Sequence, residues 1–158
     1  MPDVQEIDND DTACYWVFDP KNFSGKPAVL NLDVQVFFTS GSKHPYHMSV
    51  NSRKLCDTYP DRIHEMGHEL AKVRTQRYES EGKNKVEKYA GFLKSQVEDV
   101  EKIQYDDHCL KVEHDPTDDN HAHCNIVLKF PNKKPNPSKR TLMADDLKNC
   151  FGDEIEKP

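Results

Sequence analysis

Hydrophobic and polar positions alternate most strictly between Leu30 and Phe38. Leu30, Leu32, Val34, Val36 and Phe38 are separated by Asn31, Asp33, Gln35 and Phe37. A two-residue period puts one set of side chains on a core and the other mostly in water, and so predicts a strand. Shorter stretches read the same way. Cys14-Tyr15-Trp16-Val17-Phe18 is aromatic and β-prone, with Asp19-Pro20 to end it. His47 to Val50 reads as a short strand returning after the Ser40-Gly41-Ser42 turn. Leu110 and Val112 mark another, and in a last strand Ala122, Cys124, Ile126, Leu128 and Phe130 point inward.

Between these strands the period changes. Thr58-Tyr59-Pro60-Asp61 has a capping hydroxyl, a first-turn proline and an early carboxylate, which together predict a helix start. Ile63, Met66, Leu70 and Val73 then form its apolar stripe, and the pattern breaks from Glu79 to Gly82. Val86, Ala90, Leu93, Val97 and Val100 recur at helical spacing and predict a second helix. Strands, then helices, then strands, without a βαβ rhythm, argue for an α+β fold: a mainly antiparallel sheet packed against two central helices. The expected organisation is a disordered acidic tail over residues 1–12, one domain over 13–130, and a Pro-rich basic linker with a short C-terminal helix over 131–158. That linker, PNKKPNPSKR, runs from Pro131 to Arg140, and the helix is expected from about Thr141 to Phe151, ended by Gly152.

Composition narrows the class. The 158 residues are 35% hydrophobic and 32% charged, a lean supply for a core, and the formal charge of −6 disfavours nucleic acid as a partner. No apolar run approaches the roughly 20 residues that span a bilayer, and the acidic N-terminus has no signal-peptide character. The five cysteines are scattered, with no CxxC, which suits reduced thiols and a cytoplasmic location.

All eight histidines lie between His44 and His123. His64-Glu65-Met66-Gly67-His68 resembles the HExxH signature of zinc metallopeptidases. There, histidines four apart on a helix hold one zinc and the glutamate activates its water. The resemblance covers little more than five residues. It implies His64 and His68 as ligands and Glu65 as general base, and Glu87 stands at a workable distance for a third ligand. The helical stripe, however, turns both histidines well away from the core. A second set is His121 and His123, expected on one face of the last strand, with Asp115 upstream as an oxygen ligand; zinc accepts such a mixed set. The plainer reading is the outward polar face of a strand after an ordinary Asp-rich turn.

Three further likenesses are local. His47-Met48-Ser49 matches half of the HxS/T pair of two-histidine phosphoesterases, but no second HxS or HxT exists. His44-Pro45 to Cys56-Asp57 is similar to the HPN-to-cysteine stretch of ubiquitin-conjugating enzymes. Tyr46 replaces the asparagine, so Cys56 reads better as a buried thiol. Asp115-Pro116 through Asn120, Ala122-His123 and Ile126 resembles a D-P-x(3)-N-x-A-H-x-x-I strand motif of small uncharacterised bacterial proteins, which implies a fold and a bacterial source but no activity. The leading reading is a small binding or interaction module of unassigned protein partner. The alternatives are a zinc-dependent hydrolase built on His64, Glu65 and His68, and a structural metal at His121 and His123.

Overall fold

The computed structural model describes residues 3–26, 28–32, 34, 46–131 and 135–158. In chain order the elements are β1 (Thr12–Asp19), β2 (Phe23–Ser24), β3 (Val29–Leu30), β4 (His47–Ser52), α1 (Asp61–Ser80), β5 (Lys88–Gln96), α2 (Val97–Glu101), β6 (Gln104–Tyr105), β7 (His108–His114), β8 (His123–Lys129) and α3 (Pro137–Phe151). The fold is α+β, with a six-stranded antiparallel sheet ordered β5-β1-β4-β8-β7-β6 and a separate ribbon of β2 and β3. Among the described residues no helix is long and apolar enough to cross a membrane.

The expected strands at 14–18, 47–50, 110–112 and 122–130 are present as β1, β4, β7 and β8. The alternating run from Leu30 to Phe38 falls partly outside the described residues; Leu32 and Val34 are buried in the main core. That core lies on one sheet face. Ala13, Val17, Met48, Val50, Leu110, Val112, Cys124, Ile126 and Leu128 meet Val97 and Val100 of α2, and Met143, Ala144, Leu147 and Phe151 of α3. The C-terminal helix is therefore part of the body. It starts earlier than expected because Asn136 caps it, accepting a bond from the Lys139 N–H at 2.8 Å. The acidic N-terminus also joins the body. Ile7 packs on the core, and the buried Asp11 carboxylate accepts from the Thr12 and Lys54 N–H groups at 2.7 and 3.1 Å and from the Ser52 hydroxyl.

The second helix expected over Val86 to Val100 is mostly strand β5. The reason is a bulge. Val17 pairs with Gly91 and Phe18 with Tyr89, so Ala90 is an extra residue in β5. The extra residue resets the alternation and puts Ala90 and Leu93, three apart, on the main core, where Val97 and Val100 of α2 follow. The resulting i, i+3, i+7, i+10 series imitates a helical stripe. Val86, the first residue of the expected helical stripe, is exposed. Gly91 sits at φ +136°, and a Cβ there would lie 2.3 Å from the Glu156 carbonyl oxygen. This close approach lets Phe92 and Glu156 exchange backbone bonds of 3.1 and 2.8 Å along the sheet edge.

On the opposite face, α1 lies over β5 and β1. Its buried positions are Ile63, His64, Met66, Gly67 and Ala71; Leu70 is half-buried and Val73 exposed. The helix is thus rotated from the stripe expected at Ile63, Met66, Leu70 and Val73. The expected Thr58 hydroxyl cap is also absent, with Pro60 at the cap position and no side-chain bond. The rotation follows from the sheet. Ile63 packs with Cys14 and Phe92, and Ala71 with Phe18 and Tyr89. Gly67 gives the Tyr89 ring its space, since a Cβ there would stand 2.4 Å from the ring. Gly67→Ala should therefore lose about 1–3 kcal/mol of stability through overpacking, although alanine is the better helix former. Chemical denaturation measures this, and an unchanged or raised midpoint would show that α1 does not sit on Tyr89 as described.

Candidate functional site

Helix α1 covers only the β5–β1 end of its sheet face. The continuation of that face over β4 and β8 is polar. Strand alternation puts His47, Ser49 and Asn51 on it from β4, and His123, Asn125 and Val127 from β8. The antiparallel register sets Ser49 opposite Asn125 and Asn51 opposite His123. Where this polar strip meets α1 there is a cleft of about 490 Å³. Trp16 and Phe18 of β1 and Leu70 of α1 supply its apolar wall, while Lys21 and Arg74 bring two cations. Tyr15, His47, Ser49, Asp115, His123 and Asn125 complete the lining. This volume falls in the usual range for small-molecule sites, and an apolar wall with a few converging polar groups is their usual chemistry.

Each wall is held in place. The Trp16 indole N–H donates to the Ile63 carbonyl at 3.1 Å, which fixes the ring against α1. The Arg74 guanidinium lies over the Phe18 ring, 4.4 Å from its centroid, and donates to the buried Glu87 carboxylate at 3.1 Å. The Tyr78 hydroxyl donates to the other Glu87 oxygen at 3.2 Å. Lys21 is an exposed residue whose ammonium is nevertheless hemmed in by protein. Desolvation, reinforced by the positive charge of Arg74, draws its pKa below the ordinary lysine value.

The floor has an ordered hydrogen-bond chain. His123 Nδ1 lies 2.6 Å from the Asp115 backbone carbonyl, which can only accept. The neutral ring therefore carries its proton on Nδ1 and leaves Nε2 as an acceptor, with the Ser49 hydroxyl 3.3 Å away to donate. The Asp115 carboxylate is 3.6 Å from the same Nδ1 and accepts from the Asn125 amide at 2.8 Å.

The residues expected to bind metal are distributed differently. His64 is buried rather than turned from the core, with Nδ1 2.9 Å from the Tyr89 hydroxyl and its ring 4.9 Å from that of Phe92. His68 is exposed, its ring against Tyr89, and Glu65 is exposed beside Arg62 at 3.2 Å. Glu87 is committed to Arg74 and Tyr78. His121 precedes β8 rather than lying on it, and its ring packs edge-on to His114, centroids 5.2 Å apart. His114 accepts from the Gln5 N–H at Nδ1 and donates from Nε2 to the His121 carbonyl. His121 and His123 thus serve different surroundings, and only His123 and Asp115 reach the cleft. Among the described residues no three His, Cys, Asp or Glu side chains are grouped to hold a metal. Cys56, weighed as a nucleophile, is buried, and burial pushes its thiol pKa up. Ser49, Asn125, Lys21, Arg74 and Trp16 carried no functional expectation, apart from the HxS likeness at Ser49.

No family model matches the chain, and neither does any curated protein or solved structure.

Burial between α1 and the sheet outweighs the opposing charge of Glu156 and, with the nearby His68, lowers the His64 pKa below the 6.5 of a free imidazole. Between 6.5 and that lower value the unfolded chain holds a proton the folded one does not, so stability falls as pH falls through this window. Above 6.5 the group contributes no pH dependence. His64→Asn keeps a side-chain partner near Tyr89 and removes the titration, so its stability should decline less than wild type as pH falls below 6.5. Parallel curves from denaturation at stepped pH would contradict this burial.

Proposed function

We propose that the protein is a binding module whose cleft takes a small anion carrying a flat apolar portion. The observation that carries this reading is the convergence of Trp16 and Phe18 with Lys21 and Arg74 above a hydrogen-bonding floor. In a chain of formal charge −6, Lys21 and Arg74 offset the carboxylates of Asp115 and of the Arg74 partner Glu87, so the cleft is free of the acidic excess of the chain as a whole. A carboxylate or phosphate would exchange water for Lys21 and Arg74. A ring would lie against Trp16 and Phe18, and His47, Ser49 and Asn125 offer both donors and acceptors to select among ligands. Arg74, braced by Glu87 and Phe18, needs little reordering to bind. Buried thiols at Cys14, Cys56 and Cys124, with Cys14 and Cys124 pushed up to about 12 by desolvation, support a reducing compartment such as the cytoplasm.

Trp16 is the only tryptophan, so its fluorescence reports the cleft alone. Benzoate, 1-naphthoate and phenyl phosphate are suitable probes. At least one should change Trp16 emission saturably, and Lys21→Glu should weaken that binding about tenfold or more, equivalent to about 1.4 kcal/mol. A response to neutral naphthalene equal to that of 1-naphthoate, or no response to any of the three anions, would refute the anionic site.

A further inference from the structure

The floor of the cleft does more than offer hydrogen bonds. A hydroxyl, an imidazole and a carboxyl-bearing residue follow one another there in the order that activates an oxygen nucleophile: Ser49 Oγ to His123 Nε2 at 3.3 Å, and His123 Nδ1 to the Asp115 carbonyl at 2.6 Å with its carboxylate at 3.6 Å. We propose that Ser49 is a nucleophile, His123 its general base and Asp115 the group that orients the base, in an esterase acting on small carboxylic esters within this cleft.

Three features separate this set from a chance cluster of polar residues. The tautomer is the required one, because the Asp115 carbonyl holds the His123 proton on Nδ1 and leaves the lone pair of Nε2 facing Ser49. The orienting residue is itself fixed, since Asn125 binds its carboxylate at 2.8 Å and the Asp115 N–H donates to the His123 carbonyl at 3.0 Å. The nucleophile is accessible, because Ser49 is exposed toward the cleft from the middle of β4. A separation of 3.3 Å is within the range of unliganded nucleophile–base pairs.

In the first half-reaction Ser49 Oγ bonds to the ester carbonyl carbon while His123 Nε2 takes its proton. The tetrahedral intermediate collapses, the bond from that carbon to the alcohol oxygen breaks, and the alcohol leaves with the proton from His123. In the second half, water gives a proton to His123 and attacks the acylated serine. The acid departs, and Ser49 recovers its proton. One ester and one water become one acid and one alcohol. Lys21 and Arg74 offer positive charge to the transient oxyanion, and Trp16 and Phe18 favour an aromatic or short aliphatic group on the ester. Asp115 acts through His123 and is a positioning residue.

This inference rests on the cleft being a ligand site, and its test separates the two. The intact protein is treated with a fluorophosphonate, which exchanges fluoride for a serine oxygen, and the modified residue is located by mass spectrometry. In parallel, hydrolysis of 4-nitrophenyl acetate is followed against pH. Labelling is expected at Ser49. The ester turnover should fall about 100-fold or more in Ser49→Ala and in His123→Ala, and follow the titration of one imidazole in wild type. Asp115→Asn should lower turnover and displace that pH profile, which a merely structural role would not do. No label at Ser49 in the folded wild type, or turnover unchanged in Ser49→Ala, overturns the proposal whatever the variants' stability. If the Trp16 response to aromatic anions persists in that case, the binding reading stands and only the catalytic one has failed.

Discussion

The chain packs its main core on one face of its sheet and covers only the two strands β5 and β1 of the other, and the rest of the structure follows from that shortage. One face takes α2, α3, Ile7 and the segment bearing Leu32 and Val34. The other has only α1, which rests on β5 and β1 through Ile63, Gly67 and Ala71. Beyond the helix the same face must be polar, because burial of apolar side chains there would find no partner. The cleft is the boundary between the covered and the polar parts of that face, and its mixed lining of Trp16, Phe18, His47, Ser49, His123 and Asn125 reflects that position.

Placement of α1 also explains where the ion pairs go. The buried Glu87, at the mouth of β5, binds Arg74 and Tyr78 of the helix, and Thr75 bonds to its backbone N–H at 3.0 Å. This brace pins the C-terminal half of α1 to the strand that follows it. The same guanidinium over Phe18 then becomes a wall of the cleft. One arginine thus links helix docking to the site's charge, and its orientation is set by a carboxylate with almost no solvent contact.

Much of the sheet was legible: β4, β7 and β8 show the period of two that a half-buried strand imposes, and β1 is marked by its continuous aromatic, β-prone run. The failures have local causes. The bulge at Ala90 made strand β5 look helical, and the room for the Tyr89 ring at Gly67 turned α1 so that His64 went inward and Val73 outward. Alternation alone places His47 and Ser49 outward on one strand and His123 and Asn125 outward on another. What it does not contain is the pairing of β4 with β8, more than seventy positions apart, which joins the two halves of the floor. Histidine spacing within HExxH was the more conspicuous pattern, yet it reports a helix flank in which His64 serves packing against Tyr89 and Phe92.

The site depends most directly on that pairing and the proton it orders, and the ring-nitrogen chemical shifts of His123 measured by NMR test both. A neutral histidine free in water prefers its proton on Nε2. The β4–β8 register predicts the reverse for His123, with Nδ1 protonated toward the Asp115 carbonyl and Nε2 bare toward Ser49, while His114 in the same molecule keeps its proton on Nε2. A His123 ring protonated on Nε2, or averaging between both forms as an unconstrained surface imidazole does, would contradict the ordered floor and the site built on it.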